Sequence, residues 1–219
     1  MTAIALWLNE TFYGFDAAIF AFFHNLAKGA GAFFTPFFNF ITFLGEEGWI
    51  FILAGVLLLL FAKTRKMGVS MLIALLFGLF ITNLALKNFV ARPRPFIMDE
   101  TFKSYWEFVG KTKVGDMSFP SGHTTSAMAA GFAFFLFGNK KWSWSGIAFA
   151  LLMGASRIYL AVHYATDVIG GVISGMVAGF LAFLLVQFIF SLFEKHAGNR
   201  ACNFILDADI LNLFKKKEL

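Results

Sequence analysis

The chain has 219 residues, 59% of them hydrophobic and 14% charged, with a mean hydropathy of +0.74, a balance that excludes a water-soluble domain with a largely hydrated surface. The formal charge of +5 does not mark a nucleic-acid module, because Lys and Arg sit in short clusters between apolar runs instead of forming a stripe on a polar surface. One cysteine, Cys202, excludes an internal disulfide framework and a multi-cysteine metal site.

In chain order, the N-terminus MTAIALWLNETFYGFD lacks the basic start and small-residue cleavage site of a secretory signal peptide, so the first helix is expected to stay attached. Residues 15–44 form the first expected span. His24, Lys28, several glycines and Pro36 interrupt it, which predicts either one kinked span or two shorter pieces. Five clearer apolar runs follow, over residues 49–62, 67–86, 121–137, 145–162 and 168–193, several with Gly or Ser where helices can approach closely. The expected fold is all-α, a polytopic membrane bundle of about six transmembrane helices in a single domain over residues 1–219. The sequence has no tandem repeats, low-complexity linkers or strand-like alternation, and its 32 phenylalanines read as packing and lipid contact.

The longest polar interruption, residues 92–119, mixes Asp99, Glu100, Glu107 and Asp116 with Lys103, Lys111 and Lys113 and reads as a folded loop over one membrane face. Counting spans puts the turn with Lys63, Arg65 and Lys66, the turn with Lys140 and Lys141, and the tail from Lys195 to Lys217 on one side. The positive-inside tendency makes that side cytoplasmic, in a plasma (inner) membrane. The turn at residues 45–48, the long loop and the turn at residues 163–167 then face away from the cytoplasm, an assignment that the loop's own lysines oppose.

Ionisable groups at span ends are costly in an apolar setting unless they have partners or a function. They form three clusters: KNFVARPRP at residues 87–95, PSGH at residues 120–123 and SRIYLAVHYATD at residues 156–167. Span counting places all three on the same membrane face. Read singly, Lys87, Arg92 and Arg94 are helix-end residues that snorkel to headgroups. Read together they suit phosphoryl oxygens, with lysine a mobile point charge and arginine a planar donor fork. PSGH reads as a helix start, with Pro120 tolerated in a first turn, Ser121 able to cap and Gly122 permitting close approach. Exposed N–H groups there make an anion site, and His123 in that turn is placed to protonate a leaving group. His163 and Asp167 are four apart, so on a helical turn the carboxylate can hold one imidazole nitrogen and present the other as a nucleophile. The plainer reading of such a pair is a cap and a packed ring. Arg157 adds a cation near the end of the same span.

K-x6-R-P at Lys87, Arg94 and Pro95, PSGH at Pro120 to His123, and SR-x5-H-x3-D at Ser156, Arg157, His163 and Asp167 together resemble the three-part signature of the type 2 phosphatidic acid phosphatase superfamily, which also includes the vanadium haloperoxidases. The resemblance covers residues 87–167, and the flanking spans fit its six-helix membrane branch by hydropathy. It implies that His163 forms a phosphohistidine, that Asp167 orients it and that His123 is the general acid. It further implies that Lys87, Arg94, Ser121, Gly122 and Arg157 bind the phosphoryl oxygens, with no metal ion or cofactor. Arg92-Pro93 repeats the Arg-Pro pair two residues early, so the register stays open, and spacing from Lys87 favours Arg94. The expected partner is a lipid phosphate held in the bilayer, with undecaprenyl diphosphate favoured over phosphatidylglycerol phosphate, phosphatidate or lipid A phosphate. The competing readings are haloperoxidase-like chemistry around vanadate, whose relatives are soluble and larger, and an anion transporter, which needs polar residues along the depth of its spans. Oligomeric state is left open, and no nucleic-acid partner is expected.

Overall fold

The apolar runs form helices, and several of them continue through the glycines that the sequence places in their interiors. In the computed structural model, which describes residues 1–212, these are α1 (Ala3–Thr11), α2 (Tyr13–Leu44), a 3-10 turn at Glu46–Gly48, α3 (Trp49–Leu59) and α4 (Arg65–Leu79). A π-helical stretch, Phe80–Leu86, carries α4 into α5 (Lys87–Val90). Two short helices, α6 (Pro95–Met98) and α7 (Glu100–Phe108), sit in the long polar loop and precede α8 (Gly122–Phe137), α9 (Lys140–Tyr159), α10 (Ala165–Lys195) and α11 (Arg200–Asp207). Thr2, Asp99, Asn139 and Asn199 accept backbone N–H groups at the starts of α1, α7, α9 and α11, as side chains of this kind do at helix N-termini. No strand occurs among the described residues, and Lys215 to Lys217 of the expected basic tail lie outside them.

Among the described residues, three helical stretches are long and apolar enough to cross a membrane: Tyr13–Leu44, Arg65–Met98 and Ala165–Lys195. In lipid, helices gain little hydrophobic attraction for one another, so they associate where small side chains let backbones meet. Gly171, Gly175 and Gly179 form such a stripe on α10, against α8: a Cβ on Gly175 would lie 2.6 Å from Met128 Cβ and 2.7 Å from the Thr125 carbonyl oxygen. Gly131 of α8 meets Gly146 of α9 as closely, with an added Cβ only 2.5 Å from the Gly146 carbonyl oxygen.

Polar contacts fix the two ends of the bundle. At one end Lys66 pairs with Glu194 at 2.7 Å, Arg65 donates to the carbonyls of Ile205 (2.6 Å) and Leu206 (3.2 Å), and the Ile210 N–H donates to Leu60. The opposite end gathers Lys87, Gly122, His123, Arg157 and His163, so the three motif clusters meet as the sequence predicts.

The first expected span departs from that scheme. Within α2 the helix breaks at Ala30 (φ −143°, ψ 29°), and the two limbs fold back so that Phe23 and Phe38 meet edge to face at 6.2 Å. Asp16 near its start accepts the Thr166 N–H at 2.9 Å, and Thr42 near its finish lies 2.9 Å from the Ser156 hydroxyl. Both ends of α2 therefore belong to the motif end of the bundle, whereas a straight helix at about 1.5 Å per residue would hold these residues about 39 Å apart. The expectation of six crossings needs this stretch to be one of them. Its hydropathy suits a crossing, and buried polar partners hold both of its ends at the motif end of the bundle.

Gly175→Ala should lower stability by about 1–3 kcal/mol through overpacking between α8 and α10. Gly14→Ala, where an added Cβ has nothing within 4 Å, should be neutral or slightly stabilising. Thermal unfolding of both variants in one detergent checks the pair.

Candidate functional site

Two prolines separate the roles of the two arginines. Arg92 and Arg94 each precede a proline, which bars the helical region and leaves extended backbone, as the φ −67° and ψ 151° of Arg94 show. Such backbone turns once in about three residues, so side chains two apart diverge. Arg94 turns into a polar cavity of about 370 Å³, while Arg92 turns inward and is fully buried. This settles the register that the sequence left open in favour of Arg94 as the cavity residue.

Arg92 donates to Asn9 Oδ1 (2.7 Å), Thr166 Oγ1 (2.7 Å), Asp167 Oδ1 (2.7 Å) and Asp16 Oδ2 (3.1 Å), and its guanidinium lies 3.7 Å from the centre of the Tyr164 ring. Asp167 is correspondingly well anchored, with three donors on its carboxylate. Its Oδ2 accepts the Ser118 hydroxyl at 2.5 Å and the Tyr164 N–H at 3.0 Å.

Two residues past the end of α9 the backbone is left-handed at Ala161 (φ 52°), and the chain then passes His163 before α10 begins behind Tyr164. His163 and Asp167 thus flank a helix start instead of sharing one helical turn, and His163 Nδ1 stands 3.6 Å from Asp167 Oδ2. That distance is longer than a hydrogen bond, and Nδ1 has no hydrogen-bond partner among the described residues. On its other side His163 Nε2 lies 2.8 Å from Arg94 Nη1. A guanidinium only donates, so Nε2 accepts and the network assigns the ring proton to Nδ1. Burial, and then the charges of Arg94 and Arg157, hold the imidazole well below its ordinary pKa, which keeps it neutral with a lone pair on Nε2.

Cations surround that lone pair. Lys87, Arg94, Lys113 and Arg157 line the cavity with His123, His163 and Gly122. Arg157 is held in the last turn of α9 by donation to Thr42 Oγ1 at 3.4 Å, and its Nε has no hydrogen-bond partner among the described residues. Gly122 opens α8, where first-turn N–H groups lack intrahelical partners, and an added Cβ there would lie 3.6 Å from Lys87 Nζ. His123 Nε2, also without a hydrogen-bond partner among the described residues, is 3.7 Å from Glu46 Oε2.

Ser121 is the expected ligand that does not line the cavity. It occupies the N-cap position of α8, but its side chain makes no cap bond, and its hydroxyl accepts from Thr124 Oγ1 at 2.9 Å. Its N–H donates to the Asp167 carbonyl at 3.1 Å, which joins the starts of α8 and α10.

Glu46, Ser118 and Asp116 lie outside the three motifs and are brought in by tertiary contact. Asp116 is central, since its carboxylate pairs with both Lys87 and Arg94. Asp16 had a usable signal: a lone acid in an apolar stretch needs a buried cation, and Arg92 was a cation in need of a partner.

The model of the family described as "PAP2 superfamily" matches residues 65–191. This chain belongs to that superfamily. Over 150 residues it is 33% identical to an undecaprenyl-diphosphatase of Sulfolobus acidocaldarius, covering 65% of this chain and 67% of the relative. Phosphatidylglycerophosphatase B of Bacillus subtilis is 32% identical over 146 residues, 60% of this chain and 64% of its own length. Among solved structures, the transmembrane PAP2-type phosphatidylglycerolphosphate phosphatase of Bacillus subtilis shares the fold, with a TM-score of 0.57 at 22% identity over 84% of this chain and 98% of that one. Family membership and relatives named as phosphatases make this PAP2 chain a multi-pass membrane hydrolase of the lipid phosphatase class.

The geometry separates Arg92 from Arg94 by experiment. Arg92→Gln strands two buried carboxylates and should cost about 3–5 kcal/mol of stability. Arg94→Gln faces a half-exposed Asp116 and should cost only about 1–2 kcal/mol while abolishing phosphate affinity. Thermal unfolding together with phosphate binding distinguishes the two.

Proposed function

We propose that this PAP2 protein removes the terminal phosphate of a membrane lipid phosphate through a phosphohistidine on His163, with undecaprenyl diphosphate the favoured substrate. The observation that carries this reading is the neutral His163 Nε2 within a ring of cations formed by Arg94, Lys87 and Arg157. Phosphoryl transfer spreads negative charge over the equatorial oxygens, so a preformed cationic cradle stabilises the transition state.

In the first step Nε2 attacks phosphorus, the bond to the leaving oxygen breaks, and His123 delivers a proton to that oxygen. Arg94 exchanges its contact with Nε2 for one with a phosphoryl oxygen, and Asp167 stabilises the positive ring through Nδ1. In the second step His123 takes a proton from water, the resulting hydroxide attacks phosphorus, and the P–N bond breaks to release phosphate and restore His163. Over the cycle water supplies the proton that His123 delivers, and Lys87, Arg94 and Arg157 supply the compensating positive charge.

The name of the Sulfolobus relative supports a polyprenyl diphosphate, and that of the Bacillus relative makes phosphatidylglycerol phosphate the alternative. Phosphate release from a panel of detergent-solubilised lipid phosphates ranks them. His163→Ala should abolish release in a folded protein, and substantial turnover by that variant would reject the nucleophile. Activity should survive excess EDTA and fall with orthovanadate. Rescue of a chelated enzyme by a divalent metal would contradict the scheme.

We place the site on the extracytoplasmic face of the plasma membrane, because Arg65, Lys66 and Lys195 cluster at the opposite end of the bundle. In a Cys202→Ser background, a membrane-impermeant thiol reagent on intact cells should label Ser104→Cys, on exposed α7, and should leave Asn139→Cys unlabelled until the membrane is opened. The reverse pattern would put the site in the cytoplasm.

A further inference from the structure

The loop between α7 and α8 places a carboxylate inside the cation cluster. Asp116 pairs through one oxygen with Lys87 Nζ and through the other with Arg94 Nη2, and its backbone carbonyl accepts from Arg94 Nε at 2.9 Å. An ammonium and a guanidinium edge holding two oxygens of one group is the donor set that a phosphoryl group needs. The carboxylate therefore stands where the phosphate reading of the cavity puts phosphoryl oxygens.

Three features suit Asp116 to give way. Its side chain is 53% exposed, unlike the buried Arg94 beneath it. Gly115 beside it has open space around it, with nothing within 4 Å of an added Cβ. The loop also opens with two left-handed residues, Gly110 (φ 109°) and Lys111 (φ 57°), so it is not a continuation of α7. Burial raises the pKa of Asp116, but the Lys87 hydrogen bond and the Arg94 charge outweigh it and hold the carboxyl at about 2. At working pH it is an anion in direct competition with any other anion.

We propose that Asp116 is a charge-selecting residue, whose carboxylate holds the Lys87 and Arg94 subsite until a dianionic terminal phosphate displaces it. The proposal rests on the phosphatase reading of the same cavity. A singly charged phosphodiester brings no more charge than the carboxylate it would replace, and the carboxylate has the advantage of being tethered. A terminal phosphate brings a second negative charge to a pocket that also contains Arg157, and this excess drives the exchange. Selection of phosphate ends over diester linkages would follow from that competition, without a steric gate.

Binding of inorganic phosphate and of dimethyl phosphate, a monoanion, to the full-length detergent-solubilised protein tests this without turnover. Calorimetric titration should show Asp116→Asn binding phosphate roughly five- to tenfold more tightly than wild type, the scale of removing one partly exposed competing charge. Dimethyl phosphate, barely bound by wild type, should become measurable, and the KM for the lipid substrate should fall by a similar factor with no rise in kcat. Asp116→Ser should behave in the same way and serves if the asparagine variant does not fold. Weaker or unchanged phosphate binding in the folded variants would show that Asp116 only braces Lys87 and Arg94, and would overturn the proposal while leaving the phosphatase reading intact. Absence of phosphate binding in wild type and in both variants would remove that reading and the proposal with it.

Discussion

Arg92 is a guanidinium with no access to water, and the motif end of the bundle is assembled around it. Its donors reach α1 through Asn9, α2 through Asp16 and the start of α10 through Thr166 and Asp167. Its backbone carbonyl accepts the N–H of Ser118, whose hydroxyl returns to Asp167. Desolvating three charges together is tolerable because four of the five Arg92 N–H groups and both carboxylates find partners, and the loss of one member leaves the others buried and unpaired. Five segments that are distant in sequence are thereby held in one arrangement. His163 lies just outside this network, at the distance that Asp167 sets.

The glycine contacts determine how the rest of the site meets that network. Because α8 and α10 touch backbone to backbone along Gly171, Gly175 and Gly179, their starts come together, and the Ser121 N–H donates to the Asp167 carbonyl. His123, two residues beyond Ser121, is carried to the cavity lined by His163 by the same contact. α9 is fixed by the Gly131 and Gly146 contact and brings Arg157 to that end. Close packing between small residues far down the bundle therefore governs the distance between the proposed acid and nucleophile.

The charges of the cavity are unevenly compensated. The cations Lys87 and Arg94 share one half-exposed carboxylate, Asp116, while Arg157 has a hydroxyl partner in Thr42. An excess of positive charge against a low-dielectric wall favours anions, and it adds to burial, the larger cause, in keeping the imidazole of His163 neutral. Behind the cavity the balance is the reverse, with Asp16 and Asp167 on the single guanidinium of Arg92. Asp167 thus faces His163 with negative charge to spare for a ring that becomes positive.

Much of this was legible in the sequence, because its signals are local. Apolar runs of spanning length identify the solvent, and the spacing of Lys87, Arg94, His123, Arg157, His163 and Asp167 identifies the superfamily, since motif spacing survives any detail of packing. What the sequence left open was every question of partnership. Arg92 and Arg94 are equivalent as letters, and only the direction each side chain takes from proline-restricted backbone makes one structural and the other a cavity residue. Hydropathy reads residues 15–44 as a span, but the fold back at Ala30 is set by Asp16 and Thr42 finding partners more than a hundred residues away. Asp116 looked like one of several loop acids, and the tertiary structure alone brings it onto Lys87 and Arg94. Composition and spacing report what a residue can do; which charge it meets depends on contacts between distant segments, and the cost of burying an unpaired charge is what forces those contacts to form.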